Sequence, residues 1–300
     1  MLDRFILVLK GFCMGAADVV PGVSGGTMAL ILGIYRQFIA AIKSFDLVWF
    51  KSIFILDFNT AFKRPHLNFI IPVVIGILLA IAFFTRVVGL PGLVLSHPEL
   101  VYGFFFGLIV ASILVLIKQT PPKKLFSIIS LLLGCVIGAF IFTLIPANTP
   151  NDAWFIFLCG AISISAMILP GISGSFILLM LKKYAYIFNA IGYLQWSVLL
   201  PFISGLIVGL IIFSRLLHFL LNRFYTLTIE FIIGLLIASL WLIWPFQERV
   251  YGVVRGKQRL IDNHPIIPEL STTTVHSILL MLLGFIIVLC LEKMAKNKVN

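Results

Sequence analysis

The chain has 300 residues, of which 61% are hydrophobic and only 11% charged, with a formal net charge of +11. Ordinary soluble domains carry about 25% charged residues, yet between residues 125 and 245 the formal charges here are Asp152, Lys182, Lys183, Arg215, Arg223 and Glu230 alone. So sparse a set cannot dress a soluble surface. It excludes a soluble enzyme, a nucleic-acid binder and a disordered tail, and it defines an integral membrane protein.

The opening MLDRFILVLKG has a short apolar run and no small-residue cleavage site, so no removable signal peptide is expected. Apolar stretches follow at 5–20, 22–42, 69–89, 100–117 and 125–146, then at 153–169, 171–191, 197–217, 229–246 and 275–291. Several reach the roughly 20 residues that cross a hydrocarbon core as helix. Polar or punctuated segments separate them at 45–68, 91–98, 118–124, 146–152 and 247–274. The runs are continuously apolar instead of alternating, which predicts helices and argues against strands and a barrel. Cys13, Cys135, Cys159 and Cys290 lie in apolar stretches without paired spacing, and read as buried reduced thiols.

The most informative feature is an internal repeat. ADVVPGVSGGTMALILGIY (17–35) aligns without a gap with AMILPGISGSFILLMLKKY (166–184). Farther on, 70–86 aligns with 199–215, matching Pro72 to Pro201, Gly76 to Gly205 and Arg86 to Arg215. GLIVAS (107–112) matches GLLIAS (234–239), and LLLG (131–134) matches MLLG (281–284). The prediction is an all-α membrane domain of two repeats, 1–150 and 151–300. Each repeat has a Pro-Gly-broken helical hairpin followed by three transmembrane helices.

Whether the hairpin spans twice or is re-entrant, each half crosses an odd number of times, so the second half must be inserted upside down. Inverted repeats with a site at the midplane are a transporter architecture. The Lys and Arg bias favours cytoplasmic N- and C-termini, with the 146–152 loop outside. Residues 247–274, carrying Arg249, Arg255, Lys257 and Arg259, are an exception to that bias.

Two equivalent tips could carry chemistry: Pro21, Gly22, Ser24, Gly25, Gly26 and Thr27 in the first half, and Pro170, Gly171, Ser173, Gly174 and Ser175 in the second. Pro and Gly break a helix inside an apolar region, and irregular backbone at that depth survives only where it lines a cavity or is buried in protein. A helix restarting at Ser24 or Ser173 presents free N–H groups to an anion. The plainer reading is a tight buried turn. G-x-S-G also occurs around intramembrane protease serines, but such a nucleophile needs a histidine, and only His218 and His276 lie near an apolar run.

Arg86 and Arg215 sit deep in equivalent helices, where they either snorkel to headgroups or serve an anionic ligand. Asp18, three residues before the first tip, has Met167 as its repeat equivalent. It reads either as a coupling site for a proton or cation or as a cap on the broken helix. Glu230 is a second, weaker coupling candidate. No cofactor and no metal site is expected, with a proton or sodium gradient as the candidate driving force.

The stretch from Gly15 through Asp18, Pro21, Gly22, Ser24, Gly25 and Gly26 to Thr27, followed by Leu32-Gly33-Ile34-Tyr35, resembles the polyprenyl-phosphate transporter family. That resemblance covers essentially the whole chain, including the second tip. It implies a bacterial or archaeal cytoplasmic-membrane carrier that returns undecaprenyl phosphate from the outer to the cytoplasmic leaflet, with the paired tips as substrate site. Gly174-Ser175 in place of Gly25-Gly26 departs from exact two-fold equivalence. An anion channel or small-molecule exporter is the alternative that the residues leave open.

Overall fold

In the computed structural model, residues 2–20, 22–121, 124–144, 149–254 and 257–297 are described. The first broken hairpin is α1 (Leu2–Asp18), α2 (Gly25–Ile31) and α3 (Tyr35–Lys43). Two short helices follow, α4 (Leu47–Phe54) and α5 (Phe58–Lys63), then α6 (Leu67–Ala82), which runs on through a π turn (Phe83–Val87). α7 (Leu90–Ser96), α8 (Pro98–Gln119) and α9 (Leu125–Thr143) complete the first half. The second half has α10 (Ala153–Ile168), α11 (Gly174–Met180), α12 (Tyr184–Gly192), α13 (Trp196–Arg223), α14 (Tyr225–Leu242) and α15 (Thr272–Asn297).

Among the described residues, six helices are long and apolar enough to cross a membrane: Leu67–Val87, Pro98–Gln119 and Leu125–Thr143, then Trp196–Arg223, Tyr225–Leu242 and Thr272–Lys293. Three fall in each half, as expected. Two features differ from the sequence reading. Each returning arm of a hairpin, expected as one run, is broken, at Gly33 (φ +70°) and at Lys182 (φ +52°). The second lies in the polar segment 247–274, read only as a connection, where β1 (Gln247–Val254) and β2 (Lys257–Pro265) form an antiparallel ribbon between α14 and α15, outside the apolar runs. That segment is polar, so its backbone is free to pair outside the apolar stretches.

Glycines set the packing. In lipid no hydrophobic force drives helices together, so close backbone contact at small residues does the work. A methyl on Gly11 of α1 would strike the Val73 carbonyl of α6, and one on Gly76 would strike Val8. The same reciprocal crossing joins α10 to α13 through Gly160 and Gly205, at Phe202 and Phe157. α8 meets α15 through Gly107 and Gly284, and α9 meets α14 through Gly134 and Gly234. These four tight pairs use glycines at equivalent repeat positions.

Contacts also give direction. Gly11 lies against Val73 and Gly15 against Ile77, while Phe157 lies against Gly205 and Ala161 against Gly209. Indices rise together, so α1 runs parallel to α6 and α10 parallel to α13. Residues 19–66 and 169–195 therefore return the chain to the side where each hairpin began. α8 and α14 are the central helices, about half buried, while the other four spans are mostly exposed or half-buried along their length. Val136, Phe140, Leu200 and Ile212 are among the exposed apolar residues that cover the outer spans, as a lipid-facing surface requires.

Candidate functional site

The tips come from different halves of the sequence and touch. At the first, Gly22 takes φ +85°, open to glycine but strained for other residues. Ser24 is the N-cap of α2, and its Oγ accepts the Gly26 N–H at 3.1 Å. The same hydroxyl donates to the Met167 carbonyl of α10 at 3.1 Å. Asp18 Oδ1 accepts the Gly25 N–H at 2.7 Å, and Thr27 Oγ1 accepts the Gly171 N–H of the other tip at 2.9 Å. Tyr35 Oη donates to the Ile168 carbonyl at 3.1 Å. Gly22, Ser24, Gly25, Gly26 and Thr27 are all buried. Pro21 lies outside the described residues.

At the second tip Gly171 takes φ +90° against the Leu235–Leu236 backbone of α14, and Pro170 and Gly171 are buried. Ser173 is the N-cap of α11, but no side chain caps that helix. Its hydroxyl instead shares a hydrogen bond of 2.7 Å with Ser175, where Ser175 is exposed and Ser173 half-buried. Met167, standing where the first half has Asp18, offers no carboxylate. One tip is closed by its own residues and the other is open.

Neither arginine reaches a tip in this conformation. Arg86 is exposed on the π turn. Arg215 is half-buried, donates to the Ile211 carbonyl at 2.9 Å, and its charge acts on Asp46. Glu230 is fully buried on α14, and neither carboxylate oxygen has a hydrogen-bond partner among the described residues. Among the described residues none of Ser24, Ser173 and Ser175 bonds a histidine, and His218 pairs instead with Asn222 at 2.8 Å. The described residues contain no cluster of three or more His, Cys, Asp or Glu side chains suited to a metal.

Sequence reasoning missed a cavity of about 830 Å³ on the side where α1 and α6 begin. α1 contributes Asp3, Ile6 and Lys10, α3 contributes Gln37, and Lys63 and His66 close the far wall. Lys10 also donates to the Leu32 carbonyl at 2.8 Å. A cation inside the 5–20 apolar run was a usable signal for Lys10. Lys63 and His66 sit in a linker whose packing no local pattern reveals. A smaller space of about 200 Å³ on the other side of α3 is lined by Arg36, His218 and Asn222.

Among the described residues, six helices able to span and two broken hairpins joined at their tips define a multi-pass membrane protein. The chain belongs to the VCA0040-like family of undecaprenyl phosphate translocase-like proteins, whose pattern matches residues 14–261. It is 37% identical over 298 residues to a polyprenyl-phosphate transporter of Vibrio cholerae, covering 96% of each chain. It is 33% identical over 262 residues to a polyprenyl-phosphate transporter of Staphylococcus aureus, covering 81% of this chain and 87% of the relative. No solved structure matches it.

Proposed function

We propose that this protein carries a polyprenyl phosphate across the cytoplasmic membrane, from outer to cytoplasmic leaflet, by alternating access, and so recycles an envelope lipid carrier. The relatives' names support the lipid. The observation that carries the reading for this chain is the junction of the tips, Ser24 with Met167 and Thr27 with Gly171. Helices broken and cross-bonded inside an apolar bundle suit a site that must rearrange.

Inverted repeats are supported by the helix directions. α8 runs parallel to α15, Gly103 and Gly107 meeting Ser277 and Met281, and α9 parallel to α14, Gly134 and Gly138 meeting Phe231 and Ala238. If each span leaves the membrane where the next enters, α6, α8 and α9 run opposite to α13, α14 and α15. With the N-terminus in the cytoplasm the large cavity opens inward. Lys10, Lys63 and His66 would draw the phosphate there, and Ser173, Gly174 and Ser175 would hold it at the open tip. Ser24, Gly25, Gly26 and Thr27 would form the matching site in the opposite state, with Arg86 and Arg215 contributing if they turn inward.

Moving a lipid phosphate inward against a negative interior costs about 2.3 kcal/mol per charge at 100 mV. A co-transported proton would offset that cost. A carboxylate buried without partners is costly to ionise, so it is suited to carry a proton. Glu230 meets that description better than Asp18, which caps α2. The test is transport in vesicles holding the purified protein, with fluorescent polyprenyl phosphate and trapped inorganic phosphate followed separately. Protein-dependent movement of the lipid is expected. Leakage of inorganic phosphate with a stationary lipid would favour an anion channel.

A further inference from the structure

The α4–α5 hairpin has no counterpart in the second half, where only residues 193–195 separate α12 from α13. It is nevertheless a defined element. Asp46 and Asp57 cap its two helices, accepting the Trp49 and Thr60 N–H groups at 2.9 and 3.2 Å. Trp49 Nε1 donates to the Ala61 carbonyl at 3.1 Å and ties one helix to the other. Leu56 makes the turn at φ +59°. At the base, Arg64 Nε donates to Asp46 Oδ1 at 2.8 Å and the His66 N–H to Ser44 Oγ at 3.3 Å.

Its outer surface is apolar where water would be expected. Phe54, Ile55 and Leu56 at the turn are 77%, 65% and 69% exposed, and Phe58 and Phe62 on α5 are 63% and 67% exposed. A soluble face does not gather so many large apolar side chains in one patch. Nor can these helices span, being 8 and 6 residues long where about 20 are needed. Their depth is fixed from the base, because residues 64–66 lead directly into the spanning helix at Leu67. The hairpin therefore leaves the protein at the level of that span's first turn, the headgroup region. Its charges fit that level: Lys51 and Lys63 are exposed, Arg64 is paired with Asp46, and Asp57 caps α5.

We propose that the α4–α5 hairpin is a membrane-surface element that lies in the boundary between headgroups and acyl chains and binds anionic lipid there. Phe54, Ile55, Leu56, Phe58 and Phe62 enter the acyl edge, and Lys51 and Lys63 meet lipid phosphates. Lys63 also lines the 830 Å³ cavity, so bound anionic headgroups sit at its rim. This does not depend on what the chain transports.

The test uses the full chain with native cysteines replaced and a polarity-sensitive fluorophore on Phe58→Cys, with Phe62→Cys as a second position. Vesicles contain phosphatidylcholine or phosphatidylglycerol carrying a spin label near the headgroup. Quenching by the lipid-borne label is expected, with protection from aqueous cobalt. Phosphatidylglycerol should quench about twofold more than phosphatidylcholine, a difference that Lys51→Gln with Lys63→Gln removes. Quenching by cobalt alone, which places the hairpin in water, would overturn the proposal. So would quenching by neither agent, which places it under another protein or a second copy. Equal quenching by the two lipids in the parent overturns the anionic preference.

Discussion

Asp18 and Glu230 show how much a carboxylate's neighbours decide its use. Asp18 has a backbone donor, Gly25 N–H, at 2.7 Å. Asn keeps the accepting oxygen, so Asp18→Asn should preserve the tip, whereas Asp18→Ala should cost the fold about 0.5–2 kcal/mol as a lost cap. Glu230 has no partner to lose among the described residues, and Glu230→Gln replaces the acid by an amide of the same shape that cannot carry a proton on and off. We expect Glu230→Gln to spare the fold and lipid exchange at zero gradient but to abolish the response to an imposed proton gradient. Asp18→Asn should respond as the parent does. Vesicle transport with and without a pH step measures both, and a parent-like response in Glu230→Gln would remove it from the coupling role. Sequence alone placed both acids and ranked Asp18 above Glu230; the ranking we propose is the reverse, because it depends on which backbone donors the fold brings to each.

At the scale of elements, the paired Gly-rich tips and the three spans of each half were legible because breaks and apolar runs are local signals. The α4–α5 hairpin was not, since residues 45–68 read only as a polar linker. Its shape depends on Asp46, which serves both as the cap of α4 and as the partner of Arg64. The Arg64 guanidinium, aided by the Trp49 N–H, holds the Asp46 carboxyl below the usual carboxylate range, at about 2. A depressed carboxylate contributes stability that is present above its ordinary value of 3.8 and lost as pH falls through about 2. The base of the hairpin should therefore loosen across that window and stay closed at neutral pH. A spin label on Phe58→Cys should gain mobility there, and Asp46→Asn, which keeps a cap but no ion pair, should lack the transition. The same transition in both proteins would assign the loosening to another group.

At the scale of the whole molecule, the repeat foretold which helices correspond but not which ones touch. α8 packs on α15 and α9 on α14, each pair drawn from different halves, so the halves interlock. Periodicity along a chain carries no record of such cross-pairing; it becomes visible only when glycines such as Gly107 and Gly284 are found facing each other's backbone. Interlocked halves leave the tips as the parts freest to move, since they meet through a few hydrogen bonds, whereas α1 and α10 are held to α6 and α13, and α8 and α9 to α15 and α14, along glycine seams. If transport requires the tips to part, fixing them together should stop it without unfolding anything. Ser24 Oγ lies 3.1 Å from the Met167 carbonyl, so the two residues adjoin, and Ser24→Cys with Met167→Cys in a chain otherwise free of cysteine is the pair to cross-link, a disulfide forming if the two Cβ atoms come within about 4.5 Å. Lipid transport by that variant is expected to fall at least tenfold on oxidation and to return on reduction, while each single-cysteine variant is unaffected by oxidant. Equal transport by the oxidised and reduced double variant, with the cross-link shown to have formed, would mean that the tips stay together throughout the cycle and that substrate passes without their separation.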